Sequence, residues 1–416
     1  MIESTESLLP RPSSPAKPLQ VLCVGNEPDS LKELRRLLET LGVLPVGDIV
    51  CHPKSVNPAT YIGKGKVEAT AKLAIEAEAE AIIIDFELSP NQLRNLEKAV
   101  GKPVIDRPGV IIEIFSRHAK TKEAKTQVEL ARLQYLLPRL AHFWTHFERQ
   151  QGKGMGERQI EVDRRLVKKR MEILRGRLKQ IATERKLRRS RRDTVLKVAL
   201  VGYTNAGKST LLNALTHSDV RAEDKLFATL DPSVRMLDPN SHPPVVVIDT
   251  VGFISRLPPS LVASFRSTLE EVADADLLVH VVDGSDPTAK DQLDVTEKIL
   301  KELDLGDTPR MTVLNKCDQV GAGSKNLTRL IAPGSMAISA LNSKDVIRLR
   351  DTVLEHFKKN FEVWEVVVPY SESKLEALLH AHGSIEKTKH LEKGTFIRLR
   401  IDPSWAKRLE LEKFRT

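Results

Sequence analysis

The sequence predicts an α/β protein with a doubly wound sheet at its centre. A small α/β domain and an antiparallel hairpin of long helices precede that sheet, and a small α+β domain follows it. Three observations carry the prediction. Continuous apolar runs such as Ala81-Ile82-Ile83-Ile84 alternate with helical stretches, as strands buried on both faces of a parallel sheet require. The strand Val198-Ala199-Leu200-Val201 leads into a glycine-containing loop and then a helix. Val167, Met171, Leu174, Leu178 and Ile181 step by 4, 3, 4 and 3, which is a helix-packing seam.

Residues 1–18 are rich in Ser and Pro without periodicity and read as a disordered tail. The first domain is expected over 19–116, with strands Val21–Val24 and Ala81–Ile84 and helices Leu31–Leu41 and Val67–Ala77. Within it, Tyr61-Ile62-Gly63-Lys64-Gly65-Lys66 precedes a helix. This loop is either a structural turn or a phosphate site built from backbone N–H groups. The hairpin is expected over 117–193. Leu130, Leu133, Leu137 and Leu140 mark its first helix, which Pro138 should kink or end. The second helix would display Lys168, Lys169, Arg170, Arg175, Arg177 and Lys179 outward. Between the helices, Phe143, Trp144 and Phe147 gather beside Gly152, Gly154 and Gly156. These aromatics either cap the hairpin core or stack on RNA bases. Arg185–Arg192 reads as a basic linker. The central domain spans 194–357, with further strands Val245–Ile248, Leu277–Val282 and Met311–Leu314. Residues 361–416 alternate strand, helix (Glu372–His382) and strand (Thr395–Ile401).

A chain of 416 residues can bury several cores. No apolar run approaches the roughly 18 residues of a membrane span, and the N-terminus lacks a secretion-signal pattern. Cys23, Cys51 and Cys317 lie far apart without metal-ligand spacing. A cytoplasmic monomer with neither structural zinc nor stable membrane insertion is therefore expected. Charge is uneven. Arg117 to Lys197 holds 24 Lys+Arg against 9 Asp+Glu, a net of +15, so the rest of a chain of net charge +9 carries −6. Such a run is a solvated helical face or a nucleic-acid footprint, and its density and asymmetry favour the second.

The chemistry is written in four ordered motifs. Gly202-Tyr203-Thr204-Asn205-Ala206-Gly207-Lys208-Ser209 is a P-loop between strand and helix. Backbone N–H groups of 205–210, Thr210 included, would wrap phosphates. Lys208 would reach the β- and γ-phosphates, and the Ser209 hydroxyl would bind Mg²⁺. In Asp249-Thr250-Val251-Gly252, Asp249 would hold Mg²⁺ through a water, and the Gly252 N–H would contact the γ-phosphate. Thr229, in Leu226-Phe227-Ala228-Thr229-Leu230-Asp231-Pro232, is the candidate threonine of the other switch, with its hydroxyl on Mg²⁺. Asn315-Lys316-Cys317-Asp318 selects guanine. A carboxylate at Asp318 accepts from N1–H and N2–H₂, whereas adenine would leave its lone pairs unpaired. Asn315 would brace the P-loop, the Lys316 stem would cover the ring, and Ser339-Ala340 would face the guanine O6. Lys208, Thr229 and Gly252 are thus the expected catalytic set for turning GTP into GDP and phosphate. Where Ras-like enzymes carry a water-orienting Gln, this chain has Phe253, so intrinsic hydrolysis should be slow. Asn205 either braces the loop or ligates K⁺.

Tyr61–Lys66, Leu88–Glu97, Asp106-Arg107-Pro108-Gly109, Ala124–Leu140, Glu161–Arg165, Leu226–Pro232 and Asp249–Phe253 together carry a resemblance over roughly residues 20–360. By these segments the chain resembles the HflX family of ribosome-associated GTPases. The resemblance implies a domain and hairpin that bind the large ribosomal subunit and its rRNA, with the tip reaching toward the peptidyl-transferase region. It also implies that the GTP form helps split or rescue ribosomes, that ribosomes stimulate hydrolysis, and that hydrolysis drives release. Many members have a longer tip than Gly152–Arg158. Two other readings remain. One is an ATP-dependent RNA-remodelling enzyme working through Gly63 and Gly65. The other is a GTP-regulated ribosome-docking or hibernation protein.

Overall fold

The computed structural model describes residues 7–10, 12, 17–52, 56–140, 155–189, 195–216, 218, 226–227, 229–230, 232–238, 244–256, 273–320, 331–359 and 361–416. The chain divides into two compact units. The first comprises Met1–Arg185, Glu223–Asp231 and Ile254–Ser267; the second comprises Lys186–Ala222, Pro232–Phe253 and Thr268–Thr416.

The first unit contains a parallel four-stranded sheet in the order β2-β1-β3-β4. Its strands are β1 (Gln20–Gly25), β2 (Leu44–Val50), β3 (Ala81–Ile84) and β4 (Val104–Asp106). The helices are α1 (Pro28–Thr40), α2 (Lys64–Glu76), α3 (Pro90–Val100) and α4 (Arg107–His118). Local signals set the ends of α3. Ser89 and Gln92 form a reciprocal capping box, and Gly101 ends the helix at φ 70°. Asp106 caps α4 by accepting from the Gly109 N–H. Every residue of α4 from Arg107 to Phe115 is buried, as suits its run of Val110, Ile111, Ile112, Ile114 and Phe115.

Two further helices follow, α5 (Lys122–Leu136) and α6 (Met155–Arg189). At Pro138, α5 gives way to a 3₁₀ turn over Leu137–Arg139, where the sequence places the break. Leu130, Leu133 and Leu140 pack with Val167, Met171 and Leu174, so the expected seam forms a small core. A two-pronged Arg170–Glu129 ion pair fastens its side. The aromatic and glycine-rich connection expected at 142–156 lies outside the described residues, apart from Met155 and Gly156 in α6.

Two expectations are corrected. Within the predicted disordered tail, Leu9 is buried, and Ser7 Oγ and the Leu8 N–H donate to Glu113. A buried carboxylate needs donors, and the apolar pair Leu8-Leu9 gives this stretch something to bury. The basic linker is partly helical, because α6 continues to Arg189.

The second unit holds a six-stranded sheet in the order β10-β9-β8-β5-β7-β6. Its strands are β5 (Leu196–Val201), β6 (Ser233–Met236), β7 (Val245–Asp249), β8 (Leu277–Asp283), β9 (Arg310–Asn315) and β10 (Met336–Ala337). All pairings are parallel except β6 with β7. Helices α7 (Lys208–Thr216), α8 (Ala289–Glu302) and α9 (Ser343–Lys358) join these strands. One core lies among β5, β8, β9, α7 and α9 around Leu200, Val281, Leu211 and Leu349; another holds Val201, Leu278, Leu300 and Phe253. The chain then forms an antiparallel sheet, β11 (Glu362–Val368), β13 (Gly394–Ile401) and β12 (Ser384–Leu391), in that spatial order. Helices α10 (Ser373–His382) and α11 (Pro403–Arg408) accompany it around a core with Val366, Leu379 and Leu399.

Candidate active site

The ends of parallel strands β5, β7 and β9 carry the motifs, as the crevice rule for doubly wound sheets anticipates. After β5 the backbone turns at Gly202, whose φ is 150°. A Cβ there would lie 2.1 Å from the Val281 carbonyl oxygen, so only glycine fits. At Gly207, φ 89°, a Cβ would meet Asn315 Nδ2 at 2.3 Å. Asn205 adopts left-handed φ 62° between them. The loop then feeds α7, whose first turn presents backbone N–H groups suited to phosphate.

Asn315 ties two motifs together. Its Nδ2 donates to Ala206 O at 2.9 Å, and its Oδ1 accepts from the Ala340 N–H at 2.9 Å. Ser339 is buried, its N–H on Asp345 Oδ2 at 3.0 Å. Lys316 takes left-handed φ 61°, and its ammonium lies 2.7 Å from Asp283. Asp318 is exposed on a short 3₁₀ turn, Cys317–Gln319. The sequence gives no signal for the Asp283 partner beyond its place at the end of β8.

Lys208 is buried and donates to the carbonyls of Tyr203 (2.7 Å) and Gly202 (3.2 Å). Burial pushes its pKa down to about 8, opposed by the Asp249 carboxylate. Ser209 Oγ donates to Asp249 Oδ2 at 2.6 Å. A hydroxyl and a buried carboxylate thus meet side by side, a hard-oxygen pair that suits Mg²⁺. Thr250 Oγ1 bonds Leu200 O at 2.7 Å and holds the end of β7. The Thr204 hydroxyl is buried without a hydrogen-bond partner among the described residues.

The segment after Asp249 is tied to the P-loop. The Thr204 N–H donates to Phe253 O at 2.7 Å, and the Phe253 N–H donates to Gly202 O at 3.0 Å. A Cβ on Gly252 would lie 2.8 Å from Thr204 Cα and 3.0 Å from Lys208 Nζ, so this approach demands glycine. Phe253 is buried with Ala199, Val201 and Leu278. Its ring fills the core. His280 on β8 is also buried, and neither ring nitrogen has a partner among the described residues. Burial, then the charges of Arg310 and Lys208, push its pKa down to about 4, so it stays neutral.

Phe227 and Thr229 fall in the first unit, and Ala228 lies outside the described residues. In the first domain, Gly63 and Gly65 precede and open α2, and a Cβ on either would meet nothing within 4 Å. Packing does not require glycine at either place.

A doubly wound sheet, a P-loop and an Asn-Lys-Cys-Asp loop braced on it through Asn315 define the class of P-loop GTPases. Three family models match in series: the N-terminal domain of GTP-binding GTPases (28–116), their middle region (118–192) and the 50S ribosome-binding GTPase domain (197–316). GTPase HflX of Gluconacetobacter diazotrophicus is 40% identical over 96% of this chain and 98% of its own. GTPase HflX of Escherichia coli is 37% identical over 88% of each. The chain therefore belongs to the HflX family and is a GTPase that hydrolyses GTP. A crystal structure of a GTP-binding protein from Sulfolobus solfataricus in complex with GDP covers 81% of this chain at 26% identity, with a TM-score of 0.45. Among the described residues, no helix is long and apolar enough to cross a membrane.

Proposed function

We propose that this GTPase binds the large ribosomal subunit and helps separate or rescue ribosomes in its GTP form, with hydrolysis driving release. The observation that carries this reading is the basic face of α6. Arg164, Arg165, Lys168, Lys169, Arg175, Arg177 and Lys179 are all exposed, while Val167, Met171 and Leu174 are buried against α5. With Val167, Met171 and Leu174 turned to α5, the cations stay in solvent, where rRNA phosphates suit them. The description of the central family model, a 50S ribosome-binding GTPase, points the same way.

In the nucleotide site, Lys208 would leave its two carbonyl partners for the phosphates, and Asp318 would accept from guanine. Ser209 and Asp249, with Thr229 from the other switch, would hold Mg²⁺. The ion's contribution when bound is to neutralise charge on the phosphate oxygens. Gly252 would report the γ-phosphate through its N–H. With Phe253 buried, water orientation is left to a group supplied from outside the P-loop, while K⁺ held by Asn205 would take the charge-stabilising place of an arginine finger.

Sucrose-gradient sedimentation of ribosomes with GTP, a non-hydrolysable analogue or GDP tests the proposal. Free subunits should accumulate with the analogue and not with GDP, and large subunits should raise GTP turnover at least about tenfold, or roughly 1.4 kcal/mol off the barrier. Equal sedimentation in all three nucleotides, with no stimulation at low salt, would remove the ribosome from the reading.

A further inference from the structure

We propose that Arg107 and Phe115 are positioning residues for GTP hydrolysis, holding from the single helix α4 both segments that read the γ-phosphate. The proposal rests on the reading of Thr229 and Gly252 as switch residues.

The chain path is the first observation. Asp249 to Phe253 belong to the second unit, yet Ile254 onward belongs to the first, as does Glu223–Asp231 around Thr229. The stretch beyond Phe253 is therefore fixed by residues of the N-terminal sheet and its helices. Ile254 is fully buried. Ser255 Oγ donates to Glu33 at 2.7 Å, and Arg107 Nη2 donates to both the carbonyl (3.1 Å) and the hydroxyl (3.3 Å) of Ser255. Arg256 adopts left-handed φ 54° and places Nη1 3.2 Å from Asp85 Oδ2 and 3.3 Å from the Asp85 carbonyl.

Charge counting is the second. Arg107 is 1% exposed and pairs with both Glu33 and Asp85; the Asp85 side chain is 0% exposed and that of Glu33 is 19% exposed. Those three groups alone carry two negative charges against one positive. Arg256, 46% exposed, brings a second guanidinium to the buried Asp85 carboxylate, so the post-Gly252 segment is tied to this cluster by charge as well as by the hydrogen bonds of Ser255.

The third lies two turns along the same helix. Phe115 meets Phe227 edge to face, with centroids 4.8 Å apart at 86°. Both rings are buried, and Phe227 sits at left-handed φ 59°, a conformation that an aromatic residue keeps only when its surroundings impose it. Arg107 and Phe115 therefore grip the two segments independently, by charge and by ring packing.

Contacts with a γ-phosphate need both segments ordered, and α4 supplies that order in advance. GDP, whose expected contacts come from the P-loop and from Asn315 to Asp318, does not draw on it. The test measures affinities of the full chain for GDP and for a non-hydrolysable GTP analogue, with kcat, KM and melting temperature, in Ser255→Ala, Arg107→Lys, Phe115→Leu and Thr229→Ala. Ser255→Ala removes one oxygen and keeps every charge of the cluster, so it reads the clamp without threatening the fold. Each of the first three should weaken the analogue relative to GDP by about fivefold or more, the lower end of measured couplings, and lower kcat more than it changes KM. A lower melting temperature with that ratio unchanged, or a ratio shifted toward the analogue, overturns the proposal. If Thr229→Ala shifts the ratio and the other three do not, the clamp fails and the switch reading stands. If Thr229→Ala is also silent, the switch reading fails and takes the clamp with it.

Discussion

The four-stranded parallel sheet and the mostly parallel six-stranded sheet end their strands with the same kind of residue and use it in opposite ways. In the six-stranded sheet, Asp249 closes β7 beside Ser209, and Asn315 closes β9 braced on the P-loop, all around a loop built for a ligand. In the four-stranded sheet, Asp106 closes β4 and Asp85 follows β3, but internal arginines consume both. Asp106 bonds Arg139 at 3.0 Å and Tyr135 at 2.8 Å, and Asp85 bonds Arg107 at 2.6 Å. Burial pushes both carboxyls upward and the arginines pull them back. A doubly wound architecture thus offers a crevice, and what the strand ends face decides whether the crevice binds or stiffens.

The largest effect should come from the ligand-facing sheet. Asp318→Asn should lower GDP and GTP affinity at least about 100-fold, since the amide sets an N–H₂ donor against a guanine N–H where a carboxylate oxygen would accept, and titration calorimetry reads this directly. The stability of the apo protein should hardly move, because Asp318 is exposed. The mirror experiment is Arg139→Met in the stiffening sheet. It leaves Asp106 buried and half-compensated, and should cost about 3 kcal/mol in urea unfolding with nucleotide affinity unchanged. Adding Asp106→Asn should recover part of that loss; a double variant no better than the single would show that the pair is not the source. The smallest effect is the choice of monovalent cation. If Asn205 holds K⁺, turnover in potassium should exceed that in sodium by about threefold or more, a barrier change near 0.7 kcal/mol. Equal rates leave Asn205 as a brace alone.

The sequence makes the ligand-facing sheet easy to read, because loops that hold phosphate and guanine draw on a short list of residues at fixed spacing. Gly202, Asp249 and Asn315 stand at strand ends and Lys208 opens α7, as their motifs predict. Strands β1, β3, β5 and β8 follow from apolar runs. Strand β2, Leu44-Pro45-Val46-Gly47-Asp48-Ile49-Val50, escapes that logic because proline, glycine and aspartate interrupt it. Helix α4 escapes too, since burial on all sides erases the polar stripe by which a helix is usually noticed. Nor could Ser255 and Arg256 be assigned from sequence. Their partners Glu33, Asp85 and Arg107 lie some 150 to 220 residues away, and no local pattern announces a pairing made at that distance.

The placement of Phe253 bears on how such an enzyme can evolve. Its backbone latches the P-loop while its ring fills the core beside Val201 and Leu278. A mutation that offered a water-orienting amide at this position would have to bury that amide or evict the ring, and either change loosens the sheet before any gain in rate. Faster self-hydrolysis is therefore not one substitution away. If another molecule supplies the water-orienting group, as proposed, selection on the rate falls on the surfaces through which that molecule reaches the nucleotide.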